Sequence, residues 1–115
     1  MTNNSRTSER FQFENSEQID FSLIDKTTQL NTSYCICSDF SKVGALIVSD
    51  IEFPVGQALT LKAQVDGKVI EEIPVKVSRL VSDLCDEERF CVAVEFLQPA
   101  RLYNRLQRQS GSIAA

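Results

Sequence analysis

A chain of 115 residues that is 43% apolar has the length of one domain and enough apolar side chains to build a single core without metal or disulfide staples. Twelve Lys and Arg against sixteen Asp and Glu leave a net charge of −4, which disfavours a nucleic-acid polymer as partner and requires any anionic ligand to meet locally concentrated arginines. The opening MTNNSRTSERFQFENSEQ lacks the apolar stretch of a secretory signal, and no apolar run approaches the roughly 18 residues that span a bilayer, so the expectation is a cytoplasmic protein without membrane insertion.

The first ten residues read as a polar, flexible arm, with the folded domain expected over 11–110 and a fraying tail over 111–115. In IDFSLID, Ile19, Phe21 and Leu23 alternate with Asp20 and Ser22, the period of a half-buried strand. A second strand is expected over Asn31 to Asp39 and a third over Val43 to Ile51, joined tightly through Phe40, Ser41 and Lys42. Leu59, Leu61, Ala63 and Val65 alternate with polar residues before Asp66-Gly67, the strongest hairpin signal in the chain.

The return strand should carry Val69, Ile73, Val75 and Val77 on one face, with Pro74 marking an edge or a bulge because proline lacks an amide donor. After an acidic surface loop, Ser82 to Glu88, a last strand is expected over Phe90 to Leu97, burying Phe90, Val92, Val94 and Phe96. Beyond Pro99 the period changes: Leu102, Tyr103 and Leu106 share one helical stripe, and the helix should end near Gln109. Six strands with short turns and no intervening helix indicate an all-β, antiparallel barrel or sandwich closed by a short C-terminal helix.

Cys35, Cys37, Cys85 and Cys91 occur without histidine and without paired CxxC spacing, a pattern of small buried hydrophobes rather than of a metal centre. Enzymatic chemistry finds equally little: no histidine base and no nucleophile paired with a base at motif spacing.

Two short patterns remain. Arg6-Thr7-Ser8-Glu9-Arg10 is an RxxxR on the arm, just before the first strand, and Asp39-Phe40-Ser41-Lys42-Val43-Gly44 is a DxSxxG at the next strand-to-strand junction. Taken alone, the second pattern is equally a set of local Asp and Ser turns. Arg101 and Arg105 repeat the RxxxR spacing in the C-terminal helix, where two solvated charges one turn apart suffice to explain them.

In that order and context the two patterns resemble the PilZ domain family, whose signature is an RxxxR on a flexible N-terminal segment followed by (D/N)xSxxG on a β-barrel. Phe11 supplies the hydrophobic residue usual after the second arginine, and Val94-Glu95-Phe96-Leu97 looks like the family's closing strand. Ala93 stands where many members have glycine, and a single arginine pair precedes the barrel instead of an extended basic cluster. The resemblance implies a six-stranded antiparallel PilZ-like β-barrel and a non-enzymatic receptor for the bacterial second messenger cyclic di-GMP. It also implies arm closure on the ligand, relayed to a downstream effector protein.

The ligand residues so implied are Arg6, Arg10, Asp39, Ser41 and Gly44. Their chemistry is suited to the task. Guanidinium groups pair with the O6/N7 edge of guanine and with phosphate oxygens, and the Asp39 carboxylate accepts from guanine N1 and N2 donors. The Ser41 hydroxyl can donate or accept nearby, and Gly44 permits positive φ or close approach of backbone to ligand. The alternative is a degenerate PilZ-like module that binds no nucleotide and docks on another protein.

Overall fold

The computed structural model describes residues 10–11, 19–81 and 89–105. Arg6 and the rest of the arm through Glu9, the acidic loop Ser82 to Glu88 with Cys85, the helix end near Gln109 and the tail 111–115 all lie outside the described residues.

Among the described residues, eight strands form one antiparallel sheet: β1 (Arg10–Phe11), β2 (Ile19–Asp25), β3 (Leu30–Asn31), β4 (Cys35–Ser41), β5 (Gly44–Ser49), β6 (Ala58–Val65), β7 (Lys68–Leu80) and β8 (Phe90–Phe96), in the order β1-β4-β5-β8-β7-β6-β2-β3. Six of them are the long strands anticipated from the alternation; β1 and β3 are two-residue additions at the two edges. Asn31 belongs to β3 and pairs with Ile24, so the strand expected from Asn31 begins only at Cys35. The reason is local: the Asp25 carboxylate accepts from Thr27 N–H at 3.0 Å, Gln29 takes a positive φ of 65°, and the chain folds back on β2 before it can enter β4.

The sheet curls until its far strands share one core. Phe21 on β2 and Phe40 on β4 face each other with ring centroids 6.1 Å apart, and Phe40 meets Phe96 on β8 at 5.2 Å. No ladder among the described residues joins the β1/β4 side to the β2/β3 side, so side chains hold the seam. Leu23, Phe40, Ile47, Leu61, Val75 and Val92 are fully buried between the walls, each contributing about 1.5–3 kcal/mol of transfer free energy.

Hairpin β6–β7 turns at Asp66 and Gly67 with φ of 53° and 80°, the positive pair a type I′ turn demands. Pro74 sits inside β7, which lies between β6 and β8, yet the β8 ladder starts only at Val75. Its carbonyl accepts from Leu97 N–H at 2.9 Å just past the end of β8, so its imino nitrogen faces the place where that partner strand has run out. Val69, expected to face inward, is instead 48% exposed: a one-residue bulge at Ile70, between the pairs Ala63↔Glu71 and Gln64↔Val69, turns it to the outer face.

Residues 101–105 form a short helix, α1, that buries Leu102 and Tyr103 against the core. Glu71, inward-facing on β7 and buried, accepts from Arg101 N–H and Leu102 N–H, both at 2.8 Å. A carboxylate at the open end of the core thus caps the helix that covers it. Among the described residues no helix is long and apolar enough to cross a membrane.

Candidate functional site

Asp39 and Ser41 lie on β4 itself, and the link to β5 is only residues 42–43, with Gly44 opening β5. The DxSxxG pattern therefore runs down one strand, round a two-residue link and into the next. Within it the Ser41 hydroxyl accepts from Val43 N–H at 3.3 Å and donates to the Gly44 carbonyl at 3.2 Å, so the serine shapes the turn while one lone pair stays available. Gly44 does not take the positive φ that was one of its expected roles. A Cβ there would overlap the backbone carbonyl oxygen of Val94 on β8. Close approach of two strands is by itself enough to require this glycine.

Asp39 reaches the outer face through a defect in the ladder. Cys37 pairs with Ile47, both buried, and Asp39 pairs with Leu46, leaving Ser38 as an extra residue. Without that insertion, strict alternation would turn Asp39 toward the core. Ser38 Oγ donates to the Leu46 carbonyl at 3.3 Å, fastening the bulge.

The same construction recurs on β7. Val77 pairs with Val94 and Arg79 with Ala93, so Ser78 is extra; its Oγ donates to the Ala93 carbonyl at 3.0 Å. Arg79 is thereby placed on the outer face with Asp39. The pairs Asp39↔Leu46, Leu46↔Ala93 and Ala93↔Arg79 make one continuous row across β4, β5, β8 and β7. A cleft of about 210 Å³ lies over this row, lined by Asp39, Ser41, Gly44, Ser78, Arg79 and Ala93 among others.

Arg10 enters from the sheet edge. As a β1 residue it pairs with Ser41 of β4, and Phe11 pairs with Phe40, so the backbone brings the second arginine of the RxxxR directly beside the DxSxxG pattern. Three of the five expected ligand residues, Asp39, Ser41 and Gly44, line the cleft, Arg10 adjoins it in register, and Arg6 lies outside the described residues. Arg79 was missed by sequence reading: a single arginine in a β-strand at an apparently inward register carries no signal until the bulge is known.

The helix arginines stay apart from this cleft. Arg101 and Arg105 are exposed, border a different depression with Ile70 and Leu102, and Arg101 Nε lies 3.9 Å from Glu71. Cys35, Cys37 and Cys91 are not in disulfides. Burial pushes the Cys35 thiol up to about 12 and drives that of Cys37 up as well, the reverse of what a nucleophile or metal ligand needs. Among the described residues no cluster of His, Cys, Asp or Glu could hold a metal ion.

No family model, no curated protein and no solved structure matches this chain.

Proposed function

We propose that this protein is a PilZ-type receptor for cyclic di-GMP, its curled sheet acting as a PilZ-like barrel. The observation that carries the reading is the ladder pairing of Arg10 with Ser41, which unites two sequence patterns at one cleft that also holds Asp39. Cyclic di-GMP presents two guanines and two phosphates around a compact ring. Asp39 offers an acceptor for guanine N1 and N2, and arginine answers both the phosphates and the O6/N7 edge.

The cleft, at about 210 Å³, is smaller than the roughly 300–1,000 Å³ of pockets that enclose whole ligands. In this reading the outer face therefore serves as a cradle, and the residues preceding Arg10, including Arg6, complete it when ligand binds. Relay to an effector protein is supported by Val43 and Leu97, 66% and 54% exposed, at a rim where Phe96 N–H donates to the Val43 carbonyl at 2.8 Å.

Isothermal titration with cyclic di-GMP, beside cyclic di-AMP and GTP, tests the reading. The expected result is preference for cyclic di-GMP in the parent and a loss of about 1–3 kcal/mol in Arg10→Ala, the worth of one bidentate guanine contact. No heat from the parent at micromolar concentrations would end the receptor reading in favour of the protein-docking one.

A further inference from the structure

The two serine bulges make a site with opposite electrical poles. Asp39 and Arg79 end one row of four paired residues, three strand spacings or about 14 Å apart by their backbones, with Leu46 and Ala93 between them. Each pole is delivered by an inserted serine that bonds the carbonyl of the following residue's partner. Bulges that re-aim a side chain in this way recur beside binding sites. The Arg79 side chain is exposed and makes no hydrogen bond or ion pair with the side chain of a described residue.

We infer that Arg79 is the phosphate-holding residue of this site and fixes the direction in which the ligand lies. The inference rests on the receptor reading above. A carboxylate that accepts from guanine N1 and N2 also repels a phosphate placed beside it. The ligand therefore lies with a guanine edge at Asp39 and its anionic ring displaced along the Leu46–Ala93 floor toward Arg79. Those two floor residues present little that could hydrogen-bond a base, which leaves recognition to the two poles. A guanidinium at the far pole supplies paired donors to phosphate oxygens that a neutral side chain cannot.

The test is titration of cyclic di-GMP into the parent, Arg79→Gln and Arg79→Lys at several salt concentrations, with thermal melting as the check on folding. Arg79→Gln should bind about tenfold or more weakly, the effect of losing one charged paired contact, and its affinity should fall less steeply with salt than the parent's. Arg79→Lys should restore the parent's salt dependence and part of the affinity. Unchanged affinity in Arg79→Gln, or weaker binding with the parent's full salt dependence, would overturn the assignment while leaving the receptor reading standing. A parent that binds no cyclic di-GMP removes both.

Discussion

The backbone of Gly44 on β5 and the carbonyl of Val94 on β8 approach so closely that no Cβ fits between them. This contact lies at the edge of the candidate cleft, so the glycine of the DxSxxG pattern is tied to strand packing before any ligand is considered. Gly44→Ala must push β5 from β8, and backbone cannot rotate away as a flexible side chain would. The expected cost is about 1–3 kcal/mol, read as a Tm lower by about 10 °C. Loss of ligand binding in this variant reports the fold as much as the site; a melting curve like the parent's would show that the strands can separate freely.

Glu71 and α1 form a second long-range dependency. Glu71→Ala leaves Arg101 N–H and Leu102 N–H without their acceptor at the helix start, a loss of about 2 kcal/mol for two bonds to a charged, buried group. Glu71→Gln keeps one acceptor oxygen and should fall between parent and alanine in urea denaturation. Equal midpoints for all three would mean that the helix contributes nothing to the closure of the core.

The half-buried thiol of Cys35, packed against the core, gives the protein an alkaline limit. The ordinary thiol value of 9.0 rises to about 12 for folded Cys35 because burial penalises the thiolate. The unfolded chain therefore releases this proton first as pH rises. The stabilising contribution is complete below pH 9 and is lost between there and about 12. Cys35→Ala should lose stability less steeply than the parent over that window. At pH 8, iodoacetamide should leave Cys37 unmodified in the folded protein and alkylate it in urea; rapid native labelling of Cys37 would contradict its burial.

Much of the framework was legible in the sequence because it depends on near neighbours. Alternation in Phe21-Ser22-Leu23 and in Leu59 to Ala63 named the inward faces correctly, and these residues are buried. Asp66-Gly67 announced its turn because few other pairs adopt two positive φ values. Pro99 marked the approach to α1, whose Leu102 and Tyr103 pack inward as the helical period required.

Tertiary structure alone decided what an inserted residue does. Ser38, Ile70 and Ser78 look like ordinary strand positions, and only the partner strand's register makes each of them extra. A one-residue insertion reverses every side chain beyond it; this is why Val69 faces out, and why Asp39 and Arg79, forty residues apart in sequence, share a row. Likewise, Glu71 caps a helix thirty residues further along, and Gly44 answers to Val94 rather than to its own turn. Local preference is written in adjacent residues, but the side of a sheet on which a charge emerges is set by pairing between distant segments.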